Sequence, residues 1–438
     1  MPQASSTAGS PPATDPIAGS AAYPLGSRVN AAGHLEVGGC DIVDVAREFG
    51  TPAYVYAPDD IRARARAYLD ALRGRDGDFE VLYASKAAPI SAVYDVCREE
   101  GLSADVASGG ELHAAIRAGF EPSRIYMHGN NKSGAELREA FDAGVGCLVV
   151  DSLDEIALAD SLLERDQDVL IRLTPGIKPS THSYIQTGQL DSKFGFGIEG
   201  GAAERAVAAV QASRHLRLAG FHAHLGSQIM ELDSYPAAME VMADFCRRYE
   251  PRVMNVGGGL GIAYDDTDLP PSIEEFVAVN VDAVAAAFDP VPKILFEPGR
   301  SLVGNAGVTV YSVGTVKEVE GIRTYVAVDG GMSDNLRPML YGSRYEAVIA
   351  DRAGESPNRT VTIAGKHCES GDIIARDVEL ADPRPGDVLV TPATGAYGYA
   401  MANNYNGVPR PPVVFCGDGE AKAVVRRETY EDLVARDV

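Results

Sequence analysis

Eight short apolar runs recur between residues 81 and 296, and every gap between them is long enough to hold a helix. They lie near 81–84, 104–107, 124–128, 147–150, 169–173, 218–222, 253–256 and 294–296. The gaps carry alanine-rich segments with apolar residues at helical spacing, at 110–118, 135–143, 153–165, 202–212 and 273–288. Such alternation predicts an α/β architecture, a parallel sheet covered by helices, and eight strands are the number that closes a (β/α)8 barrel. In that fold the active site is built from the loops that follow the strands, and polar or glycine-rich residues follow these runs.

Beyond residue 305 the texture changes to β-branched runs at 308–311, 324–328, 360–363, 388–390, 413–415 and 423–425. These predict a mainly antiparallel C-terminal β domain over 305–438. Before the barrel, assigned to 59–304, residues 24–58 hold short strands at 34–37 and 53–56 and a helical stretch at 42–49. They are expected to pack on the β domain and complete it. Residues 1–23 open with Ser, Ala, Pro, Gly and Thr and are expected to form a disordered tail.

At 438 residues, 45% of them hydrophobic, the chain has material for two packed domains. A formal charge of -23 argues against nucleic acid and anionic membranes as partners, so an anionic ligand needs local donors. The six cysteines are widely spaced without a C-x-x-C pair, which suggests neither a disulfide framework nor a zinc ribbon. No Lys or Arg precedes Arg28 and no apolar run is long enough to span a bilayer. A cytoplasmic protein without a leader is the expectation.

Lys86 closes the YASK motif at the end of the first run, where an amine stands at the barrel mouth rather than on an outer surface. Gly257, Gly258 and Gly259 follow the seventh run; successive backbone N–H groups there suit a phosphate, although a tight turn needs the same residues. After the eighth run, Glu297 is placed to accept a hydrogen bond from a protonated ring nitrogen and Arg300 to hold a carboxylate or phosphate. An ordinary ion pair between them is the plainer reading. His222 and His224 stand two apart after the sixth run. Without a third ligand at suggestive spacing, a metal is not expected, and His224 reads as a flat ring stacked on a cofactor with Ser227 on its phosphate. In the β domain, Cys368 beside Glu369 reads as a proton donor next to an amine-binding carboxylate, or as a small buried thiol. Arg337, Tyr341 and Tyr397 add donors in loops. An amine, an anion cradle, a carboxylate and a flat ring together describe a pyridoxal 5'-phosphate site.

The motifs YASK, HGNNKS, KFGFG, HLGSQI, GGGLGI, EPGRSLVGNAG, VDGGMSDNLRPMLYG, KHCESGDI and TGAYGYAMANNYNGVPRP occur in this order from Tyr83 onward. On them the chain, from about Pro52 to its C-terminus, resembles the fold-type III pyridoxal-phosphate decarboxylases. The resemblance implies an alanine-racemase-like (β/α)8 TIM barrel and decarboxylation of an amino acid. Within the family the chain is most similar to members that turn meso-2,6-diaminoheptanedioate (meso-diaminopimelate) into L-lysine and CO2, the last step of lysine biosynthesis. Members acting on a D-amino acid or on carboxynorspermidine are the other reading. By the same resemblance Lys86 would link covalently to the cofactor, His224 would stack on its ring and Glu297 would face its pyridine nitrogen. Ser227, Gly257, Gly258, Gly259 and Arg300 would surround its phosphate or the substrate, with Pro298, Gly299 and Tyr397 also on the cofactor. Arg300, Arg337, Tyr341, Glu369 and Tyr397 would form the substrate shell. Cys368 would return a proton once CO2 has left. Asp105, Ser108 and Glu111 would support the lysine and the histidine. A homodimer with shared active sites is implied, the KHCESGD loop reaching the neighbouring barrel. Where the family often has Asn two residues after the lysine, this chain has Ala88 and then Pro89.

Overall fold

All eight apolar runs are strands, and they close on themselves. In the computed structural model, which describes residues 15–176 and 192–438, Ala53–Tyr56 forms strand β1. Helix α1, Pro58–Leu72, then leads into the barrel. The barrel strands are Phe79–Ala84 (β2), Ser103–Val106 (β3), Ile125–Met127 (β4), Cys147–Val150 (β5), Gln167–Thr174 (β6), Leu216–His222 (β7), Val253–Asn255 (β8) and Lys293–Phe296 (β9). Each pairs in parallel with the next, and β9 pairs in parallel with β2. Strands covered by helices outside and side chains inside are buried on both faces, which is why they read as unbroken apolar runs.

Among the described residues, seven α-helices alternate with them: Ser91–Glu99 (α2), Gly109–Arg117 (α3), Gly134–Ala143 (α4), Leu153–Leu162 (α5), Ala202–Ala212 (α6), Ser234–Cys246 (α7) and Ile273–Ala287 (α8). Ser108, Ser133, Ser152 and Ser272 start α3, α4, α5 and α8 by accepting a backbone N–H of the first turn. Helix α5 stops at Leu162, short of the expected 165. Leu163 leaves the helix in an extended conformation and buries its side chain.

The second domain is a sheet of Gly307–Val319 (β10), Arg323–Val328 (β11), Arg359–Ala364 (β12), Ile373–Leu380 (β13), Val388–Thr391 (β14), Val413–Gly417 (β15) and Glu420–Val425 (β16). Long, central β10 pairs antiparallel with β11, β14 and β1. Only β11 with β12 and β15 with β1 run parallel within this set. Of the early strands, only β1 completes this sheet. Leu35–Val37 instead joins Arg28–Val29 and Cys40–Asp41 in a small separate sheet. Its apolar side still packs on the β domain, with Leu35, Val37 and Ile42 in one cluster with Val308, Val310 and Val390.

The predicted tail does not take in residues 15–23. Ile17, Ala22 and Tyr23 are buried in that same cluster, and the Asp15 carboxylate accepts the N–H groups of Ile17 (2.9 Å) and Val29 (2.8 Å). Residues 1–14 lie outside the described residues. Among the described residues, no helix is long and apolar enough to cross a membrane.

Candidate active site

Strand β2 ends at Ala84, and the single turn Ser85–Ala87 that follows presents Lys86 to a cavity of about 670 Å3 at the C-terminal mouth of the barrel. The turn is braced from below. Ser85 Oγ donates to Glu111 Oε2 at 3.0 Å, and the same oxygen accepts the Ala107 N–H at 2.7 Å. Ser108, capping α3, accepts the Glu111 N–H at 3.2 Å. Ala88 is fully buried, and its carbonyl accepts the Tyr83 hydroxyl at 2.8 Å. The Ala87 carbonyl accepts the Tyr397 N–H at 2.7 Å, which ties the β domain to the lysine turn.

Glu297, just past β9, is 6% exposed and held from three other strand ends. Asn255 Nδ2 donates to its Oε1 at 2.6 Å, and His222 Nε2 lies 3.1 Å from its Oε2. His128 Nε2 makes an ion pair with Oε1 at 2.8 Å, its N–H not aligned on the oxygen, and lies 3.7 Å from Asp105 Oδ1. Burial alone would raise the Glu297 carboxyl, but attraction to His128 and His222 outweighs it and holds the group well below the usual carboxylate range. Burial pushes Asp105 up to about 6 against the pull of His128. For His128 the order reverses: burial disfavours its charge, yet Asp105 and Glu297 together raise it. Burial takes His222 down to about 4, and burial with the nearby Lys86 cation takes His224 well below its ordinary value. His222 lies with His128 and Glu297, their ring nitrogens and carboxylate oxygen all within 4.8 Å of one another. Imidazole and amide donors occupy both carboxylate oxygens there.

The glycine loop after β8 is wedged between the loops after β7 and β9. A Cβ on Gly258 would stand 2.2 Å from the Glu297 carbonyl oxygen, and one on Gly259 would stand 2.5 Å from that of Gly226. Gly257 and Gly259 also have φ of +69° and +105°. Close packing of the chain on itself thus requires these glycines, and of the three only Gly259 lines the cavity. Pro298 accepts the Ala84 N–H at 3.0 Å behind it, while Gly299 lines it.

Arg300 does not pair with Glu297. Its Nη2 donates to Ser227 Oγ at 2.8 Å, its Nη1 donates to the Tyr264 hydroxyl, and its guanidinium carbon lies 4.8 Å from the centre of the Tyr397 ring. Arg337 Nη1 donates to the hydroxyls of Tyr264 and Tyr345, both at 2.6 Å. The two guanidiniums are 6% and 5% exposed, and among the described residues neither forms an ion pair with a carboxylate. Buried cations without anions are costly to hold, and the site calls for anionic groups from outside the chain.

Lys86, His224, Ser227, Gly259, Glu297, Gly299, Arg300, Arg337, Tyr341 and Tyr397 share one cavity. Cys368 and Glu369 do not: both are exposed on the loop before β13, with the Cys368 N–H donating to Asn406 Oδ1 at 2.8 Å. Asn255, Tyr264 and Tyr345 are additional site residues that no motif reading singled out. Asn255 had a signal, since it stands directly before the Val256 and glycine run; the two tyrosines had none. An amine, a buried anionic carboxylate and two guanidiniums lacking anions, one with an unpartnered Nε, fit pyridoxal phosphate.

Residues 58–304 match the family model described as the pyridoxal binding domain of pyridoxal-dependent decarboxylases. Diaminopimelate decarboxylase of Bacillus subtilis (strain 168) is 50% identical over 426 residues, covering 94% of this chain and 97% of that protein. The chain belongs to the diaminopimelate decarboxylase family. The Mycobacterium tuberculosis diaminopimelate decarboxylase is 42% identical over 438 residues, 95% of this chain and 97% of its own length. Diaminopimelate decarboxylase from M. jannaschii, solved in co-complex with L-lysine, matches with a TM-score of 0.88 at 32% identity, covering 94% of this chain and 97% of that one. As in other pyridoxal-dependent decarboxylases, the matched barrel is the pyridoxal-binding domain.

Proposed function

We propose that the chain decarboxylates meso-diaminopimelate at its D-configured carbon, releasing CO2 and L-lysine. The observation that carries this reading is the pair of buried guanidiniums, Arg300 and Arg337, joined through the Tyr264 hydroxyl and, among the described residues, lacking carboxylate partners. A phosphate can satisfy one of them. The second then asks for a carboxylate that ornithine and lysine do not carry at their far end and diaminopimelate does.

Bound pyridoxal phosphate supplies the electron sink for the bond pair left when CO2 departs. Lys86, its turn fixed by Glu111, would hold the cofactor through its amine. The Glu297 carboxylate would accept a hydrogen bond from the ring nitrogen, and His224, kept neutral by burial and by Lys86, would offer a flat face. Arg300, Ser227 and Gly259 would hold the phosphate. Arg337, oriented by Tyr264 and Tyr345, takes the distal carboxylate together with Tyr341.

Cys368 and Glu369 would come from a second copy of the chain, in a homodimer. Supporting this are their exposure and the exposed side chains of Met339 and Leu340, 45% and 47%, the former lying against Gly371 of the same loop. There Cys368 returns the proton and Glu369 meets the distal ammonium. A cytoplasmic enzyme without nucleic-acid or membrane partners suits six free cysteines and a charge of -23. Purified protein given meso-diaminopimelate and pyridoxal phosphate should yield L-lysine and CO2 in equal amounts. Consumption without lysine, or no consumption, refutes the assignment.

A further inference from the structure

His128, from the loop after β4, was left without a role by the motif reading, yet it stands between two buried carboxylates. Its Nε2 lies 2.8 Å from Glu297 Oε1 and 3.7 Å from Asp105 Oδ1, and its ring meets that of His222 edge-on with centroids 5.0 Å apart. We propose that His128 is a positioning residue for Glu297: its imidazolium, set between Asp105 and Glu297, keeps Glu297 an unprotonated acceptor, so that the shared proton resides on the cofactor's ring nitrogen. The inference rests on the pyridoxal phosphate reading of the cavity, and goes beyond it by naming what controls the acceptor.

Two carboxylates this close in a dry site would otherwise share a proton, since burial and like charge both favour a neutral acid. A protonated Glu297 would donate to a neutral ring nitrogen rather than accept from a protonated one, and the ring would lose its pull on electrons. A cation between the two acids removes that tendency. It touches Glu297 directly and the ring only through it, so it lowers the basicity of the carboxylate more than that of the nitrogen. Asn255 and His222 add hydrogen-bond donors on both carboxylate oxygens. Asp105 in turn keeps His128 charged. The other charged groups facing this cluster are Arg172, which acts on His128 and Glu297, and Lys86 and Glu111, which act on Asp105.

The test is the chemical shift of the ring nitrogen in 15N-labelled pyridoxal phosphate bound to the full-length protein, followed across pH at equal cofactor occupancy. In the unmodified protein the nitrogen should be protonated, and in Glu297→Gln neutral. In His128→Gln, which leaves a neutral donor of similar reach, the resonance should move toward the neutral position at pH values where the unmodified protein keeps its proton. Asp105→Asn attacks the same cation from the other side and should move the loss of the ring proton to lower pH, because His128 then gives up its charge sooner. If Glu297→Gln loses the ring proton while both His128→Gln and Asp105→Asn keep the unmodified titration, the role of His128 is overturned and that of Glu297 stands. If Glu297→Gln keeps it, both fail.

Discussion

Arg337 is a buried cation whose hydrogen-bond partners among the described residues are two phenols. A distal carboxylate bound there would be desolvated and paired, and deleting the guanidinium would leave it buried without a partner. Arg337→Ala should therefore lower kcat/KM for meso-diaminopimelate by on the order of 100-fold or more, with far less effect on ornithine, as steady-state assays of both will show. An equal loss for both would mean that Arg337 supports the fold and does not choose the substrate. Lys86→Ala should abolish the visible absorption of bound cofactor, and after borohydride treatment mass spectrometry should find no pyridoxyl adduct, while the far-ultraviolet circular dichroism is unchanged. An adduct on another lysine would reassign the amine. Single residues were legible where a motif concentrates them, as at Lys86 or in the Glu297 to Arg300 loop. Tyr264, Tyr345 and the partners of Glu297 were not, because they converge from strand ends that lie far apart in the chain and meet only when the barrel closes.

At the scale of the element, the glycine loop between β8 and α8 shows how one piece of backbone serves two ends. Its residues are small because the loops after β7 and β9 press on them. Gly258→Ala would drive a methyl group into the Glu297 carbonyl and should cost about 1–3 kcal/mol or more, read as a lower Tm and weaker cofactor retention. Gly110→Ala in α3, where the nearest atom to a new Cβ is Ser108 Oγ at 3.8 Å, should leave both unchanged or slightly improved. Equal behaviour of the two variants would contradict the packing argument. The barrel strands were legible because burial on both faces makes them continuously apolar. Strand β13 was passed over because Arg376, Asp377 and Glu379 face solvent and break its apolar character. The strand at Leu35–Val37 was found but assigned to the wrong sheet, since an alternation pattern says which face is buried and not against which edge the backbone pairs.

At the scale of the whole molecule, one cavity of one chain holds the amine, the carboxylate and both guanidiniums, Arg337 coming from the C-terminal domain, while Cys368 and Glu369 stand exposed on a loop outside that cavity. If two chains exchange these loops, mixing Lys86→Ala and Cys368→Ala subunits in equal amounts should restore about one quarter of the sites, because half of the dimers are mixed and each has one intact site. No recovery, with mixed dimers verified by mass, would place Cys368 in its own chain's site or outside the chemistry. That this loop would meet another copy is an expectation from the resemblance to related sequences, with no signal in composition or spacing. The central claim is that, with Arg300 on the phosphate, the second buried guanidinium, Arg337, selects a substrate with a carboxylate at its far end. Its most direct test is the ratio of kcat/KM for meso-diaminopimelate to that for ornithine in the unmodified protein. The account predicts a ratio of at least about 1,000, and a ratio near one would contradict it.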